Sequence, residues 1–167
     1  MYDRLTQGDI DKMQAEINER KLKRRPELIE AVKVAREQGD LSENFEYYAA
    51  KREKNLNESR IRYLERMVNT ARVVSMPDRE GEAGMNKEIE LYYPEDDETE
   101  TVRIVTTIRS NPLKGLISIE SPMGKALLGH KAGDTVRVQT ETGASYEVTI
   151  RSVSAALDEA GDEIAGY

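Results

Sequence analysis

From Leu41 to Met76 the chain contains neither glycine nor proline. So long an uninterrupted run of good helix formers permits a long helix and little else. A second helical pattern precedes it: Ile10, Met13 and Ile17, then Leu28, Val32 and Ala35, recur at three- and four-residue steps. Between the two lies GDLSENFEYY, Gly39 to Tyr48. Long helices joined by so short a turn run out and back. The sequence therefore predicts an antiparallel α-helical coiled-coil hairpin over residues 1–75, with an acidic tip at 39–46. About thirty residues per helix at a 1.5 Å rise give an arm roughly 45 Å long.

Local signals refine this picture. Thr6 and Asp9 suit a helix start, with Leu5 as a staple residue, and Pro26 predicts a kink near Arg24–Arg25. Gly39 is expected to stop the first helix in a positive-φ conformation, and Ser42 or Asn44 to cap the second. The inner face of the second helix is expected to carry Leu56, Tyr63, Met67, Ala71 and Val74.

After residues 76–84, read as a linker from PDREGEAG, the period changes to two: EIELYY, TVRIVTT, GLISIE, DTVRVQT and SYEVTIRSV. Residues 85–154 thus form a small α+β domain of four or five antiparallel strands, with one short helix near Lys125–Leu128. The acidic, small-residue-rich stretch 155–167 is expected to be a flexible tail.

Composition narrows the function. Residues 1–75 hold sixteen Lys and Arg against fourteen acids, a charge of +2; residues 76–167 hold nine against eighteen, a charge of −9. Phosphate contacts need clustered cations, so any nucleic-acid contact belongs to the first half, aided by another protein. There is no cysteine, which excludes disulfide and thiolate-metal chemistry. The start MYDRLTQGD has no apolar run, and no stretch is long and apolar enough to span a membrane, so a cytoplasmic location is expected.

Asp40 and Glu43 lie three apart in the turn. Two carboxylates bind Mg²⁺ weakly, because such a site is completed by waters and substrate phosphates. They suit a half-site delivered to a partner holding the other ligands; equally, acids in a turn can simply solvate it and cap a helix. Arg36, Lys51, Arg52 and Lys54 flank the tip and suit an RNA backbone, or else ordinary surface ion pairs. Phe45, Tyr47 and Tyr48 suit stacking on a base or packing between the helices, with packing expected for Phe45 and one tyrosine. His130 has no second histidine or cysteine with which to share a metal.

These residues also carry a resemblance. GDLSENFEYYAAKREKNLNESRIRYLE, the preceding RRPELIEAVKVAREQGD and the later SPMGKALLGHKAGDTVRV resemble the bacterial GreA/GreB transcript-cleavage factors, GreA-type more than GreB-type. The likeness runs from about Leu5 to Val153. It implies that residues 85–154 adopt an FKBP-like fold and dock at the rim of the RNA polymerase secondary channel through the loop of Ser121, Pro122 and Gly124. It implies that the coiled coil reaches down the channel toward the 3′ end of backtracked RNA. There Asp40 and Glu43 would share Mg²⁺ with the polymerase active site, so that the polymerase cleaves its own transcript. The protein itself would need no cofactor in isolation, would have no turnover alone, and would act as a monomer. Two positions depart from the family pattern: Phe45 replaces the usual alanine, and Tyr48 stands where histidine is common. The FKBP-like fold does not imply prolyl isomerase activity, because residues 76–167 have no Phe or Trp and only Tyr92, Tyr93, Tyr146 and Tyr167 to line an aromatic pocket. Two rival readings stand beside this one: a Gre homologue that fills the channel and inhibits synthesis, and a coiled-coil adaptor whose tip acids are incidental.

Overall fold

A computed structural model describes residues 4–39, 44–159 and 161–164. The chain divides into a helical unit, residues 9–71, and a second unit in which residues 4–8 join residues 72 onward.

In the helical unit, α1 (Gln7–Glu19) passes through a π-helical turn (Arg20–Arg24) into α2 (Arg25–Glu37), and α3 (Phe45–Thr70) returns antiparallel to them. The distortion expected at Pro26 is this π turn. Proline supplies no N–H and its ring crowds the carbonyl one turn back, so the ladder widens and the Arg25 N–H reaches the Arg20 carbonyl. Gly39 does not take a positive φ; α2 ends at Gln38, whose N–H bonds the Ala35 carbonyl.

Met13, Ile17, Leu28 and Ala35 are buried on one side of the hairpin, and Ile61, Tyr63, Leu64 and Met67 on the other. Leu56, expected on this face, is exposed, and its neighbour Asn57 is buried instead. One residue turns a helix by about 100°, and the spacing 57, 61, 64 is the one that follows the seam. The Asn57 amide oxygen accepts from the Arg20 guanidinium at 3.0 Å, which ties the buried amide to the π turn.

Basic residues around the π turn are matched by acids. Arg25 grips Glu58 with two bonds of 2.7 and 2.9 Å, Arg24 reaches Glu53 at 3.1 Å, and Lys21 contacts Glu65. Glu16 receives both Arg20 (2.8 Å) and Arg60 (2.9 Å). Burial pushes the Glu16 carboxyl up, but hydrogen bonds from Arg60 and Arg20 reverse this and leave it below the usual carboxylate range. The Arg25 bonds likewise lower Glu58.

In the second unit, β1 (Arg4–Leu5) pairs in parallel with β2 (Arg72–Val73). Residues 4–8, read from sequence as part of the arm, therefore belong here. Leu5 is fully buried, and its carbonyl accepts from the Val74 N–H at 2.8 Å. The main sheet has five strands in the order β5-β4-β3-β7-β6, namely β3 (Lys87–Tyr93), β4 (Glu98–Val105), β5 (Leu116–Ser118), β6 (Thr135–Gln139) and β7 (Ser145–Ala156). Its pairings are antiparallel except β4–β5, which is parallel and corrects the all-antiparallel expectation. Two short 3₁₀ turns, Thr107–Arg109 and Pro112–Lys114, separate β4 from β5 and carry the chain back to re-enter the sheet in the same direction.

Period-two alternation places Ile89 and Leu91, Ile104, Val136 and Val138, and Val148 and Ile150 in one core with Ile119. The short helix α4 (Pro122–Leu127) adds Leu127 to it. The fold is α+β, as the sequence indicates.

Two further stretches differ from expectation. The segment read as a linker is fastened down: the buried Lys87 ammonium donates to the carbonyls of Arg79 (2.7 Å) and Glu82 (3.0 Å) and meets Asp78 at 2.8 Å. Ala83 is buried, and its N–H bonds the His130 carbonyl. The acidic stretch read as a flexible tail supplies Glu159 and Asp162 to a buried cation, Arg109. An arginine out of water holds its carboxylates wherever they lie in sequence.

Candidate functional site

Asp40 and Glu43 lie outside the described residues, as does Ser42. The structure bounds their turn on both sides. Asn44 caps α3, its side-chain oxygen accepting from the Tyr47 N–H at 3.0 Å. The same amide donates to the Ala35 carbonyl in the last turn of α2. One side chain thus satisfies an orphan donor of one helix and an acceptor of the other, closing the hairpin next to the acidic turn.

Next to this clamp the Tyr47 phenol meets Arg36 across the hairpin. The guanidinium is 3.5 Å from the hydroxyl, the long limit of a hydrogen bond, and 5.6 Å from the ring centroid. The Arg36 hydrogen bond, then the charges of Lys51 and Lys54, hold this phenol below the usual tyrosine value, against partial desolvation. Lys51 and Lys54 follow Tyr47 at four and seven residues, the spacing of one helical stripe, whereas Arg52 is exposed on the neighbouring stripe.

Arg36, Lys51, Arg52 and Lys54 have no ion pair among the described residues, in contrast to Arg20, Lys21, Arg24 and Arg25. Cations that form no ion pair among the described residues keep their charge available to phosphate or another anion.

The aromatic residues divide. Tyr47 is half-buried and stands edge-on to Tyr48, with centroids 5.5 Å apart. Phe45, expected to pack between the helices, is 85% exposed, and Tyr48 is also exposed. Phe45 is the first residue of α3, where its position turns it away from the seam that begins at Asn57.

In the second unit, each residue of the Ser121, Pro122, Gly124 loop has a structural task. Ser121 caps α4, its hydroxyl donating to the Ser118 carbonyl at 2.6 Å and accepting from the Gly124 N–H at 3.0 Å. Pro122 occupies the first turn, where no N–H is needed. At Gly124 a Cβ would stand 2.2 Å from the Ser118 carbonyl oxygen, so only glycine fits. Beside the loop lies an open groove of about 370 Å³, lined by Pro122, Lys125, Ala126, Arg137 and Gln139.

Sequence reasoning missed the Arg109 cluster. Its guanidinium is buried and meets Asp162 at 2.6 Å, Glu159 at 2.8 Å and the Asn86 amide oxygen at 3.0 Å, while Arg103 also contacts Asp162. The available signal was Asp162 and Glu159 in a tail whose acids otherwise had no partner. No group of three or more metal-ligating side chains occurs among the described residues. No helix among them is long and apolar enough to cross a membrane.

Comparison with known proteins decides the family. Residues 4–73 match the family described as transcription elongation factor, N-terminal, and residues 78–155 match transcription elongation factor, GreA/GreB, C-terminal. The transcription elongation factor GreA of Limosilactobacillus fermentum is 45% identical over 143 residues, covering 85% of this chain and 90% of that protein. This chain belongs to the GreA/GreB family of transcription elongation factors. The GreA of Macrococcus caseolyticus is 39% identical over 150 residues, covering 90% and 95% of the two chains. Among solved structures, the GreA factor homolog Gfh1 of Thermus thermophilus is 28% identical, with 93% of this chain and 100% of that one covered at a TM-score of 0.42. Within this GreA-type chain, Asn44 and Arg36 lie close to the acidic turn in sequence, and Lys51, Arg52 and Lys54 follow along α3.

Proposed function

We propose that this GreA-type factor enters the secondary channel of bacterial RNA polymerase and stimulates the polymerase's own cleavage of backtracked RNA. The observation that carries the reading is a set of cations toward the turn end of the hairpin that form no ion pair among the described residues. Arg36, Lys51, Arg52 and Lys54 form no ion pair among the described residues, whereas Lys21, Arg24 and Arg25 farther along the hairpin do.

In this reading the four cations face the phosphates of the extruded RNA. Asp40 and Glu43 then stand at the reacting phosphate as oxygen donors. Two carboxylates fall short of the six ligands that Mg²⁺ prefers, which suits an ion shared with a partner rather than one held by this chain. When bound, Mg²⁺ supplies a Lewis acid that lowers the pKa of an attacking water and offsets charge on the phosphoryl oxygens. The protein's own part is to orient: Asn44 ties the start of α3 to the end of α2, and the carboxylates accept hydrogen bonds from the water.

Ser121 and Pro122, at the α4 cap, are the contact to the channel rim, beside the groove lined by Lys125 and Arg137. Gly124 serves by letting the loop close. The protein acts as a monomer in the cytoplasm.

The reading is tested in a stalled, backtracked elongation complex with Mg²⁺. Addition of the protein is expected to shorten the RNA from its 3′ end and to restore extension when nucleotides are supplied. Binding that leaves the RNA intact and slows synthesis would replace cleavage with inhibition by channel occupancy.

A further inference from the structure

We propose that Phe45, with Tyr48 beside it, forms a stacking platform for the unpaired nucleobase at the 3′ end of the backtracked RNA. Cleavage would then depend on whether a base is present there. This rests on the cleavage reading above and adds to it a base contact specific to this chain.

Phe45, Tyr48 and Arg52 occupy positions i, i+3 and i+7 of α3, one stripe along the helix, and all three are exposed. The Phe45 ring is left in water at 85% exposure, although the seam of the same hairpin buries Ile61, Leu64 and Met67. Among the described residues its ring has no aromatic or cationic partner; the guanidinium at this end sits over Tyr47 instead. Tyr48 is braced edge-on by Tyr47, and Tyr47 by Arg36, so the second ring of the stripe is held from behind.

Exposed aromatic faces on one stripe with a cation that forms no ion pair among the described residues are the arrangement that binds single-stranded nucleic acid. Cations take the backbone, rings take the bases, and stacking tolerates any base because each has a π-face. An apolar protein surface would want the ring without the surrounding charge, since Lys is depleted at interface cores. Charge complementarity therefore favours RNA over a protein wall as the occupant. A guanidinium at the end of the stripe can extend the stack through cation–π contact.

The test uses the full-length protein with backtracked complexes that differ only in the extruded 3′ nucleotide, natural or abasic. Phe45→Ala is expected to slow cleavage of the natural RNA roughly tenfold, the order expected for one lost stack, and to leave the abasic RNA unaffected. Phe45→Trp should keep the wild-type rate, and Phe45→Leu should behave like Phe45→Ala, with polymerase affinity equal in all four proteins. Equal slowing on both RNAs, or full activity with Leu, overturns the proposal and assigns the ring to an apolar contact with polymerase. Wild-type protein that binds without cleaving either RNA overturns the cleavage reading and this proposal together. Cleavage indifferent to residue 45 overturns the stacking alone.

Discussion

Replacement of Asp162 by alanine should destabilise the second unit far more than its place in an acidic tail suggests. The Arg109 side chain is 1% exposed and Asp162 is 8% exposed; their contact is 2.6 Å, and Arg103 shares the same carboxylate. Removing one partner of a buried ion pair typically costs about 3–5 kcal/mol, because the remaining charge stays out of water. Arg109 keeps Glu159 and Asn86 in this variant, so the lower end applies, about 3 kcal/mol. Rearrangement of the cluster around Glu159 is restricted on one side, since Gly8 already approaches that carboxylate so closely that a Cβ there would overlap it. The assay is native-state hydrogen exchange of the β3 and β7 amides, which reports the opening free energy of the sheet. Protection should fall roughly a hundredfold, the equivalent of about 3 kcal/mol. The surface pair Arg137–Glu147, with side chains 64% and 50% exposed, provides the control. Glu147→Ala should cost under about 1 kcal/mol. If Asp162→Ala changes protection no more than Glu147→Ala, the cluster does not hold the tail and the reasoning fails.

Three further outcomes follow from the hairpin. Asn44→Ala loses a helix cap and the bond to Ala35, and should lower stability to urea, followed by helical circular dichroism, by about 1–2 kcal/mol. Glu16 and Glu58 have folded pKa values below their unfolded ones, so their contribution is present above the ordinary carboxylate range and lost as pH falls through the folded values. Hairpin stability should therefore drop below about pH 4, and Glu16→Gln should flatten that dependence in melts across pH. The Tyr47 phenol should ionise below the ordinary tyrosine value in an ultraviolet titration, and Arg36→Ala should move it back toward that value.

Much of the fold was legible because its signals are local. The periodicity of α1 to α3, the proline distortion, the Asn44 cap and the alternating strands all arise from neighbours a few residues apart. The errors share the opposite character. Arg109 finds its acids some fifty residues away, so no short window showed that the tail is anchored. Lys87 fastens the apparent linker through backbone carbonyls, which carry no sequence signature. The place of Asn57 on the seam depends on helix phase after a long run without punctuation, and a small drift in phase exchanges it with Leu56.

At the site, residue identity marked the cations and aromatics, but their pairing is a tertiary property. Only the structure separates Arg24 and Arg25, each in an ion pair, from Arg52 and Lys54, which have none among the described residues, or shows Phe45 facing water. The Ser121, Pro122 and Gly124 pattern was legible as a motif, and the structure adds why glycine is required there.

The most direct test of the account compares wild type with Asp40→Asn/Glu43→Gln in a backtracked complex supplied with Mg²⁺. Equal binding to polymerase, shortening of the RNA from its 3′ end by the wild type, and little shortening by the double variant are expected. Equal cleavage by both proteins would contradict the assignment of the tip carboxylates and leave the hairpin as a positioning or adaptor element.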